Sequence, residues 1–461
     1  MQKIYSILVP ENLDLEARIK QFPPDFKYNI DFFYLIIYFV IKNLAYKIGK
    51  EEEISPEKLF ICLSSTVLQG FCRNYNEHID YLMENFLGAG KVLWRKPYHE
   101  GVSFSYKLPP FYSNKRLKIY TITDLTLIKK IKIKFGVNIQ PSVRKHYPFL
   151  TSYLDPQKIT VLLLDALNHN ESLYSENSDY KKYLLNASKI SKMNNGEFYM
   201  THKPETDGRI HSSLSGFPKE FRKFLRYENS VLAEIDISAS VPTFLFYILN
   251  NLSSNNNHID KIINNNKIYY NHYMLVKKHV TLCSNELGNF YTQIIQGTLY
   301  ENFVEGFHNI HLFDASLQPD EYLLTAVEKK FNRPFDGDMA DLIKVVKTNI
   351  LSMLNAKTNT YKNEKAVFQS YFPNIHYFIM ELKKKNHSFF SHLTLQTESY
   401  FMLNIIARKL NKDFRKKIPI LTLHDCIVTT EENVDFVKEF MDTTFLKELG
   451  FVPMLKSEIW G

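Results

Sequence analysis

The stretch IPILTLHDCIVTT, Ile418 to Thr430, reads as two short strands with a hydrophilic pair, His424 and Asp425, at their junction. Five of the six residues before His424 are apolar or β-branched, and most of those after Asp425 are too. An aspartate is almost never buried without a partner or a metal ion. One Asp in one hairpin is ordinarily a turn residue, so the rest of the chain has to decide its meaning.

A second carboxylate of the same kind lies about 190 residues earlier. In SVLAEIDISASVPTFLFYIL, Ser230 to Leu249, VLAEIDI reads as a strand and VPTFLFYIL as a helix. Asp236 closes the strand, and Glu234 falls on the same strand face. Two such carboxylates brought together repel unless a cation lies between them. Mg²⁺ takes few carboxylates and fills its remaining positions with water and substrate phosphate oxygens. Two such ions about 4 Å apart promote in-line displacement at phosphorus.

A triphosphate needs further cations. DMADLIKVVKTNILSMLNAK, Asp338 to Lys357, has helical spacing, with Ile343, Val346, Ile350 and Leu354 on an apolar face. Lys344 and Lys347 lie on a neighbouring stripe, either as a solvated face or as phosphate ligands. KPETDGRIHSSLSGFPKEFRKFL, Lys203 to Leu225, reads as a Gly-Arg turn entering a strand, a Ser-rich loop and a basic helix. Taken alone, Arg209 is a surface residue behind a turn.

In order, these pieces resemble the polymerase core shared by family A DNA polymerases and single-subunit, phage-type RNA polymerases. TDGRIHSS resembles the family's T-G-R-L-S-S element, and DISASVPTF its first palm motif. KTNILSMLNA is similar to the fingers helix, LQTESYFMLNIIARKL (Leu395 to Leu410) to the Q-G-T-A-A-D-I-I-K helix, and LHDCIVTT to the second palm motif. The resemblance covers residues 201–458. It implies that Asp236 and Asp425 hold two Mg²⁺ ions, with Mn²⁺ as a substitute, and that the Ile237 carbonyl is a further ligand. It also implies that Lys347 meets the triphosphate with Lys344 nearby, that Arg209 reaches the primer end or minor groove, that Gln396 contacts the nascent pair, and that His424 touches the primer terminus.

Departures from the family pattern bear on sugar choice. Ile343 stands where the fingers helix carries Arg, and Asn355-Ala356 where it carries Tyr-Gly. Val241 stands where DNA polymerases have a Glu that blocks a ribose. Asp236-x-Ser238-x-Ser240 and the small Cys426 lean towards the RNA polymerase branch, the T-G-R-like and Gln-bearing elements towards the DNA branch. DNA synthesis, in a setting such as mobile-element replication, is the first expectation, and RNA synthesis or priming the second. A winged-helix replication or defence factor that only binds nucleic acid is the alternative of another class. No DxE exonuclease pattern precedes the core.

The expected fold is α/β (α+β): an antiparallel palm sheet, helical fingers and a helical thumb. The palm strands are expected at Val231–Ile237, Ile418–Leu423, Ile427–Thr430 and Val452–Ile459. Residues 1–110 are expected to form a helical and winged-helix-like region, with a turn at His99-Glu100-Gly101. Residues 111–200 are expected to be thumb-like and helical, and 201–461 to be palm and fingers. The basic run LIKKIKIKF, Leu127 to Phe135, is either a solvated amphipathic element or a phosphate-contacting surface. The Asn-rich Asn250–Lys267 is expected as an exposed insertion.

Composition agrees with a globular, multidomain chain: 461 residues, 45% hydrophobic, net charge +8. The excess charge suits a polyanionic partner, here primed template and nucleoside triphosphates. Four scattered cysteines without a CxxC pair suggest a reducing compartment. FFYLIIYFVI, Phe32 to Ile41, is too short to cross a bilayer and reads as a buried helix. With no signal peptide in view, a cytoplasmic monomer without membrane attachment is expected.

Overall fold

The computed structural model describes residues 4–49, 58–97, 103–252, 257–263, 267–309, 319–414 and 417–461. They form two compact units. The first holds residues 1–200, 212–232 and 460–461, the second 201–211 and 233–459. Among the described residues no helix is long and apolar enough to cross a membrane.

The first unit is built on helix α1, Ile30–Ile48. FFYLIIYFVI is apolar all round, and all ten of its residues are buried, as such a helix must be. Against it packs an antiparallel pair, β1 (Tyr5–Pro10) and β2 (Leu117–Ile122). Asp31, at the start of α1, is buried with its carboxylate satisfied. It accepts from the Tyr120 hydroxyl at 2.7 Å and from the backbone N–H groups of Thr123 and Asp124 at 2.8 and 2.7 Å. Residues 111–200 hold helices, but also the strands Leu117–Ile122 and Ile159–Val161.

LIKKIKIKF lies in helix α2, Leu125–Phe135, capped by Asp124. Its buried Leu127, Ile128 and Ile131 follow helical spacing, leaving the lysines on the outer side. Helix α3, Tyr180–Asn194, packs on α1. Between Ile61 and Lys107 the order is strand, helix, helix, strand, strand. The last strand, Ser105–Lys107, is the middle of a three-stranded antiparallel sheet. The expected His99-Glu100-Gly101 turn lies outside the described residues.

Strand β3, Ser230–Ile237, begins in the first unit and ends in the second. Its start pairs with Leu225–Tyr227 through a tight turn in which Glu228 and Asn229 both have positive φ, 48° and 73°. Such a turn matches the twist of a hairpin. In the second unit the strands are β4 (Leu421–Leu423), β5 (Cys426–Thr430) and β6 (Leu455–Ile459). β4 pairs antiparallel with β5, β5 neighbours β3, and β3 pairs antiparallel with β6. Two of these strands start later than expected, each just after a proline (Pro419, Pro453) that has no N–H to give a ladder.

The second unit also holds the helices α4 (Ser240–Asn250), α5 (Met339–Asn355) and α6 (Phe389–Ser399), with α6 packed on both α4 and α5. After α6 the chain runs through a π-helical stretch, Tyr400–Ala407, a form concentrated near functional sites. The Asn-rich segment is not wholly an exposed insertion. Asn257–Ile263 is helical, and its Ile259, Ile262 and Ile263 are buried, so apolar spacing overrides the polar composition there.

Candidate active site

The hairpin β4–β5 has a two-residue tip. Leu423 pairs with Cys426, leaving His424 and Asp425 to make the turn. His424 has φ +57°, a conformation uncommon outside glycine. Alongside, β3 carries Asp236, half-buried at its end, and the Ile237 N–H donates to the Asp425 carbonyl at 3.4 Å. The chain then turns through Ala239, again with positive φ (54°), into α4. Two strained non-glycine residues thus flank the two carboxylates, a pattern that concentrates at functional sites.

Ligating atoms of Asp236, Asp425 and Cys426 all lie within 4.8 Å of one another. The Cys426 thiol donates to Asp236 Oδ1 at 2.9 Å. Burial, then Asp236, pushes that thiol far up, so it stays protonated and acts as a donor. Burial also pushes the Asp425 carboxyl up to about 7, helped by Glu398 and Asp236 and opposed by Arg209. Among the described residues neither Asp236 nor Asp425 has an ion-pair partner, and the buried Ser238 hydroxyl has no hydrogen-bond partner. Two carboxylates, an unsatisfied hydroxyl and no neutralising base fit a hard divalent cation. Two carboxylates and a single thiol are also not the Cys- and His-rich set of a structural zinc site.

A buried clamp lies beside them. Glu398, on α6, is 1% exposed; its Oε1 accepts from Arg209 Nε at 2.8 Å and from Arg209 Nη2 at 2.6 Å. Its Oε2 accepts from the Ser240 hydroxyl at 2.6 Å. Glu398 therefore ties the Arg209 turn to the start of α4, close to Asp236. Sequence reasoning named Arg209 and quoted Ser240, but passed over Glu398. The available signal was a lone charge in an otherwise uncharged helical stretch, LQTESYFMLNII.

The turn bearing Arg209 rests on the same helix. Gln396 Nε2 donates to the Pro204 and Thr206 carbonyls at 3.2 and 3.0 Å, and the Ser399 hydroxyl to the Asp207 carbonyl at 2.9 Å. The Gln396 amide N–H groups are thereby engaged with the turn itself. Asp207 binds His211 at 2.9 Å, and the His211 ring sits 5.4 Å from that of His424. Gly208 has φ +66°, and a β-carbon there would stand 3.3 Å from Ser399 Cβ. Gly208→Ala is expected to cost about 1–2 kcal/mol, from the left-handed backbone and the close approach. Urea denaturation checks this, and an unchanged midpoint contradicts it.

On α5, the Lys347 ammonium lies 5.7 Å from the Tyr300 ring, and Lys344 pairs with Asp341 at 3.5 Å. Asp341 is also bound by Arg333. Among the described residues no hydrogen bond or ion pair joins either lysine to Asp236 or Asp425. Asn355 is the last residue of α5. Val241 follows Ser240 in the first turn of α4 and is half-buried.

No protein-family model matches the chain, and no curated protein matches it. Among solved structures the chain is similar to the POL domain of Pol1 from M. smegmatis, determined in complex with DNA primer-template and dNTP. The TM-score is 0.32 and the identity 10%, over 63% of this chain and 55% of that one. The chain thus spans about half the length of that structure.

Proposed function

We propose that the chain is a template-directed nucleotidyltransferase, with DNA synthesis from nucleoside triphosphates as its first activity. The observation that carries this reading is the meeting of Asp236 and Asp425, from strands about 190 residues apart, with no ion pair to either among the described residues. Bound Mg²⁺ would supply Lewis-acid activation of the attacking hydroxyl and charge neutralisation on the phosphates. Asp236 and Asp425 would hold it, with the Ser238 hydroxyl and Ile237 carbonyl as further oxygen donors nearby.

The chain's own residues then have separate tasks. Glu398 fixes Arg209 and Ser240, so that the carboxylate of Asp236 and the Arg209 turn keep one geometry. His424, at the hairpin tip, orients the primer terminus next to Asp425. Lys347 and Lys344 supply positive charge along α5 for the triphosphate. Val241 places no carboxylate against a ribose 2′-hydroxyl, so discrimination between sugars falls to other groups, and RNA synthesis or priming is the second outcome to test.

A binding role without catalysis is favoured by one observation. The strand–helix–helix–strand–strand order of Ile61–Lys107, with the last strand central, supports a winged-helix reading of this region. Its helix Tyr75–Met83 has Glu77 and Asp80 and no Lys or Arg, so in this reading phosphate contact falls to other parts of the chain.

Primer extension with dNTPs or rNTPs, in Mg²⁺, tests the reading. Extension lost in both Asp236→Ala and Asp425→Ala supports it, and the nucleotide incorporated identifies the sugar. No extension on primed or unprimed templates, with nucleic-acid binding retained, favours the binding role. His424→Gly separates position from backbone strain. Relief of the left-handed backbone, about 1 kcal/mol, roughly offsets the added freedom of glycine in the unfolded chain. Stability is expected to stay within about 1 kcal/mol, while extension slows about tenfold or more. A fully active His424→Gly would contradict the role of the imidazole.

A further inference from the structure

The first unit holds a cavity of about 510 Å³, lined among others by Lys42, Lys134, Lys189, Lys192, Glu197 and Tyr199. The lysines come from three helices: α1, the last turn of α2, and α3. Lysines at helix C-termini ordinarily answer the helix dipole and point into water. Here the charges do not balance. Both oxygens of Glu197 are engaged, one by the Lys42 ammonium at 2.6 Å and the other by the Tyr5 hydroxyl. Among the described residues, Lys134, Lys189 and Lys192 share the lining with no ion-paired acid.

Lys192 is half-buried, and burial lowers its pKa, aided by Lys42 and Lys189 and opposed by Glu197. Keeping the half-buried Lys192 ammonium beside Lys42 and Lys189 is costly unless an anion joins them. Phosphate is the anion that several lysines bind as point charges. The volume falls within the range of small-molecule pockets and exceeds what a bare phosphate needs. The exposed ring of Tyr199 forms part of the wall. Its hydroxyl lies 2.8 Å from the place where a β-carbon on Gly216 would sit, so a glycine makes room for it.

We propose that this pocket binds a phosphorylated nucleotide unit, with Lys134, Lys189 and Lys192 on the phosphate and Tyr199 stacked on the base. Aromatic stacking with a basic groove is how proteins hold nucleotide units without reading sequence. The site does not depend on the catalytic reading of Asp236 and Asp425. The unit comes either as a free triphosphate or as part of a single strand, and one experiment separates the two.

The full chain is titrated in EDTA with ATP and with a labelled oligo(dT), by calorimetry and fluorescence anisotropy. The variants are Lys134→Gln/Lys189→Gln, both exposed positions that fold readily, together with Lys192→Gln and Tyr199→Ala. Lys20→Gln/Lys27→Gln, two exposed lysines of the same unit outside the pocket, serves as the charge-matched control. The expected result is binding weakened about tenfold or more in the lysine pair and in Tyr199→Ala, and unchanged in Lys20→Gln/Lys27→Gln. ATP that binds and displaces oligo(dT) assigns the pocket to free nucleotide. Oligo(dT) binding that ATP does not displace assigns it to a strand. Equal affinity of wild type and the lysine pair for both probes overturns the site, and equal affinity in Tyr199→Ala overturns the nucleotide assignment.

Discussion

Asp425→Asn is expected to abolish Mg²⁺-dependent nucleotide addition while making the metal-free protein more stable at pH 8. The two effects have one cause. Asp425 is held among Glu398 and Asp236 in a site that removes it from water, so its carboxyl is pushed from an ordinary 3.8 up to about 7. Between those values the unfolded chain has released its proton and the folded chain has kept it. The folded state then binds more protons, so stability falls as pH rises from about 4 to about 7 and is level above. The full cost is on the order of 4 kcal/mol. An asparagine has no charge to desolvate, so this pH dependence should flatten in the variant. Thermal melts in EDTA from pH 4 to pH 9 measure it. Wild type should also gain stability at pH 8 when Mg²⁺ is added, because an ion that binds only the folded chain raises its melting point. A wild type whose stability is flat from pH 4 to pH 7, or an Asp425→Asn protein destabilised at pH 8, would contradict this account.

Glu398→Ala is expected to be the most damaging single change to the fold of the second unit. It removes a carboxylate that accepts three hydrogen bonds and leaves the Arg209 guanidinium, mostly shielded from water, without its partner. Breaking one half of a buried pair costs about 3–5 kcal/mol. Burial pushes the Glu398 carboxyl up, and Arg209 and Ser240 pull it back, so the pair holds its charge only as a unit. Glu398→Gln keeps an oxygen for Arg209, and its amide can donate to a Ser240 hydroxyl turned to accept. It should therefore lose about 1–2 kcal/mol and recover a measurable part of the activity that the alanine variant lacks. Chemical denaturation and single-nucleotide incorporation on the same preparations read both. Equal behaviour of the alanine and glutamine variants would mean that Glu398 only fills space.

The strand ends were legible because alternating burial and turn residues mark them locally. VLAEIDI and ILTLHDCIVTT each combine an apolar run with one acid at its limit, and both became strands of one sheet. Helix α5 was legible from its spacing alone. The clamp was not, because Arg209 and Glu398 are 189 residues apart and Ser240 and Glu398 are 158 apart, and no local pattern announces such a meeting. Lys347 and Lys344 show the other side of this. Their helix is where the spacing put it, yet their ammonium groups lie over Tyr300 and beside Asp341. The lysine pocket was invisible for a similar reason. LIKKIKIKF showed a basic run, but its junction with Lys189 and Lys192 depends on how α2 and α3 pack on α1.

The central claim is that Asp236 and Asp425 jointly hold the cation that drives phosphoryl transfer. Its most direct test is addition of one labelled nucleotide to a primed template, in Mg²⁺, by wild type, Asp236→Asn and Asp425→Asn proteins shown to be folded by their melts. The account predicts addition by wild type only, lost in EDTA and reduced at least about 10³-fold in each variant. Addition that survives in either variant at near wild-type rate would contradict it.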